Sequence, residues 1–391
     1  MDELSMDELP MDEKVRDLMV RHVEAGTVPG AVTLVARPGR DDDADPDGLA
    51  QAVGVMALGG TPMRPDAIMR IQSMTKVITA VATLLHVQAG RVRLDDPVPR
   101  WLPELVDRRV LRTPGAAVDD TVPATRPITV RDLLANGSGY GMPVADTPLS
   151  AAMRAAGVEA SAEPPSLPAD EWLAALATLP LAHQPGTGFR YHHSFSILGI
   201  LLSRVAGIGL GQHLAETVFG PLGMRDTGLW VPVDRLDRLP AAYRVEGDAL
   251  VEAEPAGGGF YAGPPPFDVA HGELVSTAAD LCRFTRMLTG GGRVAGRRFL
   301  DADLVAELTR DQVPAAAKTP DSFFPGFWEG TGWGYGVSIQ LAGSHEGRYG
   351  WAGGQGTDFL VDRDGTIAIL LTQVELGERM WPVLEEFQQA V

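Results

Sequence analysis

The sequence is poor in cysteine and has no long apolar run. Cys282 is the single cysteine in 391 residues, so no disulfide can form within the chain, as is typical of a reducing compartment. Its helical spacing from Leu281, Phe284 and Leu288 predicts a buried core thiol. No apolar stretch approaches the ~20 residues that a membrane span requires. The amino terminus, MDELSMDELPMDEKVRDLMV, is acidic where a secretory signal would be basic and then apolar. We therefore expect a cytoplasmic protein with no membrane partner.

Positive charge is also scarce. The 33 lysines and arginines are outnumbered by 51 acidic residues, and the net charge of −18 repels phosphate backbones, so we expect no nucleic-acid partner. The eight histidines form neither His-x-His-x-Asp-His nor His-Glu-x-x-His, and the glycine-rich stretches lack a phosphate-loop lysine. The sequence predicts no metal and no cofactor, and leaves a small molecule as the expected partner. It does not indicate an oligomeric state.

The order of predicted elements indicates the fold class. A chain of this length favours one large domain or two closely joined lobes. Strands are predicted at 31–37 and 49–58, and again within 331–341, 356–362 and 366–373, the last two around an Asp-Gly turn at 364–365. Helices are predicted up to Glu24, over 74–88 and over 378–390, with proline-rich loops and helical pieces in the middle third. We predict an α/β protein of the α+β type, an antiparallel sheet flanked by the terminal helices.

The predicted domain boundaries follow from this order. Residues 1–20 are read as an acidic lead-in, because MDEL, MDEL and MDEK recur there. Residues 21–100 and 256–391 would form the sheet domain. Residues 101–255 would form a mostly helical domain inserted into it.

Lysine is the scarcest basic residue, which makes one lysine informative. Only Lys14, Lys76 and Lys318 occur, and Lys76 follows Ser73 by three residues in IQSMTK. Arginine cannot give up its proton in a protein, whereas a desolvated lysine can become a neutral base. Residues three apart share a helix face, so Lys76 can reach the hydroxyl of Ser73 and activate it as a nucleophile.

Several blocks in order extend this pattern. After Ser73-Met74-Thr75-Lys76 come LDDPV (94–98), ITVRDLLANGSGY (128–140), PLGMRDTGL (221–229) and ELVSTAADLCRF (273–284). Together they resemble the serine β-lactamase and penicillin-binding protein superfamily over roughly residues 20–375. The resemblance implies a β-lactamase/transpeptidase-like fold and an acyl-enzyme on Ser73.

The second motif of that superfamily begins with a tyrosine. Tyr191 in QPGTGFRYHHSFSILG matches it best, and the resemblance implies that its phenolate shares proton transfer with Lys76. His193 stands where the motif has asparagine and is expected at the substrate. Either His192 and His193 form a polar rim at the helix start, or they take part in proton transfer. Tyr140 in GSGYG is the alternative base, and is otherwise expected to line the pocket.

The third motif is Lys-Thr-Gly or His-x-Gly in lactamases and peptidases, where the cation binds a carboxylate. Here the matching stretch is Trp351-Ala352-Gly353-Gly354, which has no cation. The apolar face of Trp351 could hold an acyl or alcohol group, and the bare backbone of Gly353 allows substrate to approach. The amides of Ser73 and Gly354 would form the oxyanion hole. A Trp-x-Gly motif is similar to that of the family VIII carboxylesterases within the superfamily.

These residues favour a carboxylesterase acting on small to medium esters, and they leave alternatives open. A β-lactamase or D,D-peptidase, an acyltransferase and an amidase share the same nucleophile. A non-catalytic binding module would have no need of a scarce lysine beside a serine. An α/β-hydrolase is disfavoured, because no serine lies in Gly-x-Ser-x-Gly.

Overall fold

The computed structural model describes residues 10–41, 44–143, 145–160, 165–266, 268 and 270–391. Within this part of the chain the central element is a seven-stranded antiparallel sheet with the order β11-β12-β13-β14-β15-β1-β2. Its strands are β1 (Gly30–Ala36), β2 (Gln51–Gly54), β11 (Thr331–Trp333), β12 (Ser338–Gln340), β13 (Tyr349–Gly353), β14 (Thr357–Val361) and β15 (Ile367–Leu371).

Short two-stranded sheets lie outside the central one. Their strands are β3 (Met69–Arg70) with β8 (Val275–Ser276), β4 (Arg109–Leu111) with β5 (Thr121–Pro123), β6 (Ala242–Glu246) with β7 (Ala249–Glu254), and β9 (Arg293–Val294) with β10 (Arg297–Arg298).

The helices lie before, between and after these strands. They are α1 (Met11–Glu24), α2 (Pro46–Leu49), α3 (Thr75–Gln88), α4 (Val130–Leu134), α5 (Pro148–Ala155), α6 (Ala169–Ala177), α7 (His193–Ala206), α8 (Leu210–Leu214), α9 (Gly220–Leu222), α10 (Ala278–Thr289), α11 (Ala302–Leu308) and α12 (Trp381–Ala390).

The two ends of the chain meet in the sheet. Leu34 of β1 pairs with Ile369 of β15, and β15 follows β14 through the Asp364-Gly365 turn, where Gly365 has a φ of +88°. Such a left-handed turn residue is readily supplied by glycine. The predicted antiparallel sheet joining the first and last strands, and with it the β-lactamase/transpeptidase-like α+β fold, is confirmed.

Alternate residues of the strands face two hydrophobic layers. On one face β1 and β15 pack with Met19 of α1 and Phe387 of α12, both fully buried. On the other face they pack against α3 and α10, where Cys282 is fully buried. Burial raises the pKa of the Cys282 thiol to about 11, as expected for an inert core cysteine.

Two predicted elements have different bounds. The strand expected over 49–58 is shortened to β2, because the Asp45 side chain accepts a hydrogen bond from the amide of Asp47 and caps α2 in front of it. Gly54, with a φ of +75°, ends the strand. The last helix begins at Trp381 rather than at 378.

The remaining predictions on chain organisation concern the amino terminus, the domain boundaries and membrane-spanning helices. The first nine of the twenty residues predicted as an acidic lead-in lie outside the described residues, and residues 11–20 belong to α1. The division into a sheet domain and an inserted helical domain stays a prediction. Among the described helices none is alone long and apolar enough to cross a membrane. Only α7 with Leu210–Leu222 reaches that length and composition, as a pair bent by 77°.

Candidate active site

Ser73 lies at the junction between β3 and α3. The residues Gln72–Met74 form a 3₁₀ turn, and α3 begins directly after it. Gln72 has a φ of +47°, an unfavourable conformation for a residue with a side chain, immediately before the serine. The strand in front is held by the buried side chain of Arg70, which donates to the carbonyl of Pro240 at 2.8 Å. These contacts fix the turn that carries Ser73 and the start of α3, which carries Lys76.

Lys76 is fully buried beside the serine hydroxyl. Its Nζ lies 3.0 Å from Ser73 Oγ and 2.5 Å from the carbonyl oxygen of His271. Burial lowers the pKa of Lys76 to about 7, while the carboxylate of Glu273 opposes that shift. A substantial fraction of Lys76 is therefore neutral near pH 7 and able to accept the proton of Ser73.

Tyr191 closes the cluster on the other side of the serine. Lys76 Nζ lies 4.3 Å from the centroid of the Tyr191 ring, and Ser73 is close enough to the Tyr191 hydroxyl to lower its pKa. Trp351 Nε1 donates to the same hydroxyl at 2.6 Å. Burial raises the pKa of Tyr191 and these hydrogen bonds oppose the rise, so the resting form is the neutral phenol rather than the phenolate.

The donors and acceptors of these groups form one consistent chain. The indole N–H of Trp351 can only donate, so the Tyr191 oxygen accepts from it and its own O–H remains free to donate. The Ser73 hydroxyl is then free to donate to a neutral Lys76, whose N–H donates to the carbonyl of His271. This direction is the one needed for proton transfer from serine to lysine.

The end of β13 lies against the turn that carries Ser73. A Cβ on Gly353 would come within 2.4 Å of the Ile71 carbonyl oxygen and 2.3 Å of Thr357 Oγ1, so only glycine allows this approach. A Cβ on Gly354 would lie 3.9 Å from Gln72 Oε1, so Gly354 is a neighbour of the residue before Ser73. The oxyanion hole formed by the amides of Ser73 and Gly354 stays a prediction.

An aromatic cluster surrounds Trp351. Its ring centroid lies 4.6 Å from that of Trp333, 5.6 Å from Tyr191, 5.9 Å from Phe327 and 6.1 Å from Phe323. The Trp333 and Phe327 rings meet Trp351 nearly edge to face, at 89° and 86°. These contacts hold the half-buried indole in one orientation, with its N–H on Tyr191.

Two of the predicted substrate residues make their contacts inside the fold. Tyr140 is fully buried, and its hydroxyl donates to the carbonyl of Leu179 at 3.2 Å and contacts Arg108. Its ring packs in the hydrophobic core, and its roles as the alternative base or as a pocket residue stay predictions. His193 is also fully buried, with Nε2 2.7 Å from the carbonyl oxygen of Val158. Its predicted position at the substrate stays a prediction.

The structure places His192 and His193 differently, and their part in proton transfer stays a prediction. His193 lies inside the fold rather than on a polar rim, and burial lowers its pKa to about 4. The partly buried ring of His192 lies against that of His271, with centroids 3.7 Å apart. Burial and the neighbouring His271 and Lys76 lower the pKa of His192 well below its usual value. Both rings are therefore neutral near pH 7.

Sequence reasoning missed a second layer of polar groups below Lys76. His271 and Glu273 are buried next to the lysine, and Ser196 of α7 contacts His271. Glu273 begins the block ELVSTAADLCRF, so a carboxylate at that position was a signal. Phe323, Phe327 and Trp333 were also missed, although FFPGFWEGTGW is rich in aromatic residues.

A serine, a buried lysine and a tyrosine at a helix start, beside an antiparallel sheet that joins both chain ends, define the β-lactamase-fold class of serine hydrolases. The chain belongs to the Beta-lactamase family, whose family model matches residues 15–380. It is 35% identical over 361 residues to Protein Rv1367c of Mycobacterium tuberculosis (strain ATCC 25618 / H37Rv), covering 89% of this chain and 86% of that protein.

Two further comparisons agree with this assignment. The chain is 30% identical over 387 residues to Esterase EstB of Burkholderia gladioli, covering 93% of this chain and 90% of that protein. Among solved structures, that of EstCE1, named as a hydrolase with promiscuous acyltransferase activity, matches with a TM-score of 0.76 and 24% identity. The match covers 97% of this chain and 98% of that one. The resemblance to the serine β-lactamase and penicillin-binding protein superfamily is thereby confirmed.

Proposed function

We propose that this chain is a carboxylesterase that hydrolyses small to medium uncharged esters through an acyl-enzyme on Ser73. The observation that carries the proposal is Trp351: a neutral indole N–H, 2.6 Å from the Tyr191 hydroxyl, occupies the place of a carboxylate-binding cation. An uncharged ester needs no such cation, whereas a β-lactam or a D-alanyl peptide presents a carboxylate to it. The relative named as an esterase supports the same choice.

The mechanism follows from the hydrogen-bond chain. Neutral Lys76 takes the proton of Ser73, and Oγ attacks the ester carbonyl. The amides of Ser73 and Gly354 would stabilise the oxyanion. The alcohol then leaves with a proton from the Tyr191 and Lys76 pair, and water attacks the acyl-enzyme with the same groups acting in reverse.

A second candidate is acyl transfer to an alcohol. The aromatic cluster around Trp351 offers apolar surface where an alcohol could displace water at the acyl-enzyme. The structural neighbour EstCE1, named as a hydrolase with promiscuous acyltransferase activity, supports acyl transfer as the second candidate. Adding increasing alcohol to a hydrolysis assay separates the two, because an acyltransferase forms the new ester in preference to the free acid. Amide hydrolysis would use the same catalytic groups. The small-molecule partner and the cytoplasmic location remain proposals that rest on the sequence alone.

The first test is removal of the nucleophile. Ser73→Ala should reduce turnover of p-nitrophenyl butyrate by roughly a thousandfold or more, since covalent catalysis then has no substitute. Ser203→Ala is the matched control, because Ser203 Oγ donates to the carbonyl of Gly199 within α7. Wild-type turnover in Ser73→Ala would refute the assignment. A fluorophosphonate probe should label wild type and leave Ser73→Ala unlabelled, whereas a non-catalytic binding module would not be labelled at all.

The second test concerns substrate class. Wild-type protein is assayed side by side with short-chain esters, a chromogenic cephalosporin and a D-alanyl peptide. Esters should give the highest kcat/KM. A preference for the cephalosporin or the peptide would overturn the argument from Trp351 and favour a β-lactamase or D,D-peptidase.

A further inference from the structure

A buried histidine and glutamate lie directly behind Lys76. His271 Nε2 lies 3.1 Å from Glu273 Oε1, and both side chains are at most 7% exposed. The other carboxylate oxygen accepts the amide of Gly272 at 3.0 Å. A buried carboxylate is costly unless it is hydrogen-bonded, and the Gly272 amide and the His271 ring nitrogen give each of its oxygens a partner. The pair is therefore a built element of the site rather than a surface ion pair.

The pair connects the lysine to the helix that follows Tyr191. His271 Nδ1 lies 2.7 Å from Ser196 Oγ on α7, so both ring nitrogens have partners and the imidazole is held at its two ends. The carbonyl oxygen of the same residue lies 2.5 Å from Lys76 Nζ. Fixing the ring of His271 thus fixes the backbone oxygen that orients the lysine.

We propose that Glu273, acting through His271, is a positioning residue that holds the Lys76 amine toward Ser73 and supplies the negative charge facing it. The inference rests on the proposed function, since it concerns the base of that reaction. The proton acceptor of the reaction remains Lys76, because Glu273 and the His271 side chain do not touch the reacting atoms.

The charges around Lys76 show why one carboxylate matters. Tyr191 faces the lysine as a neutral phenol, and His192 is neutral near pH 7. From the segment before β8, Glu273 is the group that raises the pKa of Lys76 against the effect of burial. Tyr261, whose pKa is raised by burial and by Glu273, stays neutral as well. Without the carboxylate, the lysine is neutral over a wider pH range but is a weaker and less well oriented base.

The test is the pH dependence of kcat/KM for p-nitrophenyl butyrate in Glu273→Gln. This quantity reports the free enzyme, so its acidic limb follows Lys76. The limb should move to lower pH by roughly half a unit or more, because an opposite charge near an amine shifts its pKa by that order. The plateau should fall by roughly threefold or more as the amine becomes a poorer and less well oriented base. Glu273→Asp keeps the charge and should keep the limb within about 0.3 unit of wild type while losing part of the plateau.

The matched control is Asp358→Asn, which replaces another buried carboxyl group, whose pKa burial raises to about 7. Asp358 lies on β14 and accepts from Gln388 of α12, on the sheet face opposite Trp351, so both limb and plateau should stay at wild-type values. A Glu273→Gln variant with reduced rate and an unmoved limb would show a merely structural role and overturn the inference. If that variant fails to fold, His271→Gln keeps the backbone carbonyl and removes the link. Because that variant keeps the Glu273 charge, its limb should stay in place while its plateau falls, and a wild-type plateau there would overturn the inference equally.

The same measurements separate the two proposals. Labelling by the fluorophosphonate probe, followed against pH, reports Ser73 activation without any assumed substrate. If wild type neither labels nor hydrolyses esters, the proposed function fails. If wild type is active and Ser73→Ala is not, yet Glu273→Gln matches wild type at every pH, the inference about Glu273 alone is refuted.

Discussion

The indole N–H of Trp351 offers the sharpest test of how this site replaces a cation. Trp351→Phe keeps an aromatic face for the substrate and removes the donor that lies 2.6 Å from the Tyr191 hydroxyl. Tyr191 is only 8% exposed, so water has little access to restore the lost hydrogen bond. Leaving a buried polar group without its partner costs about 1–3 kcal/mol. If that cost appears in the transition state, kcat falls by about 5- to 150-fold.

The assay separates two roles of the same side chain. Loss of an apolar substrate wall raises KM, whereas loss of support for Tyr191 lowers kcat with KM nearly unchanged. We expect the second pattern in Trp351→Phe with p-nitrophenyl butyrate at pH 8. A raised KM with wild-type kcat would show that the indole acts only as a wall and would refute the reasoning.

Trp333→Phe provides the matched control. Trp333 belongs to the same aromatic cluster, with its ring 4.6 Å from that of Trp351, but its buried Nε1 has no hydrogen-bond partner among the described residues. The same substitution there removes ring volume and no hydrogen bond. It should lower the unfolding temperature and leave kcat close to the wild-type value. An equal loss of kcat in both variants would assign the effect to packing.

Three further predictions follow from the geometry. The kcat/KM of wild type should rise with pH through about 7, because burial lowers the pKa of Lys76 to that value, and it should fall about tenfold per pH unit below it. A flat profile from pH 5 to 8 would exclude Lys76 as the base. Gly353→Ala should abolish esterase activity while the circular dichroism spectrum stays native, because the added Cβ would meet the Ile71 carbonyl oxygen at 2.4 Å and push β13 away from Ser73. Retained activity would contradict that packing. His86 and His213 are buried with their Nε2 atoms 3.0 Å apart, and burial lowers the pKa of His86 to about 4. The stability that depends on a neutral His86 is therefore fully present above the unfolded pKa of about 6.5, and it is lost as the pH falls toward 4. The free energy of unfolding in urea should therefore drop between pH 7 and pH 5 in wild type, and by less in His86→Gln; equal slopes would refute it.

Much of the fold could be predicted because its signals are local. The helical spacing that predicted a buried helix over 74–88 depends only on neighbouring residues, and α3 extends from Thr75 to Gln88 with its inward face in the core. The Asp-Gly turn between β14 and β15 is likewise a local signal. The bounds of β2 could not be predicted, because an Asp45 cap and the left-handed Gly54 compete with its apolar pattern.

The candidate site divides in the same way. The spacing of Ser73 and Lys76, with lysine so rare in this chain, indicated their contact before any coordinates, since residues three apart on a helix share a face. Tyr140 and His193 were assigned to the substrate because their motifs were near the right positions. A sequence pattern does not say what a side chain contacts, and in the fold the Tyr140 hydroxyl meets the carbonyl of Leu179 and His193 Nε2 that of Val158.

The sequence by itself indicated Ser73 and Lys76 as nucleophile and base, the meeting of the first and last strands in one sheet, and the absence of a cation at position 351. These are properties of composition and short spacing. Only the tertiary structure decided that the Trp351 indole donates to Tyr191 and that Glu273 and His271 lie behind Lys76. Lys76 and the carbonyl of His271 are 195 residues apart in the sequence, and Tyr191 and Trp351 are 160 residues apart. These contacts therefore form only in the folded chain.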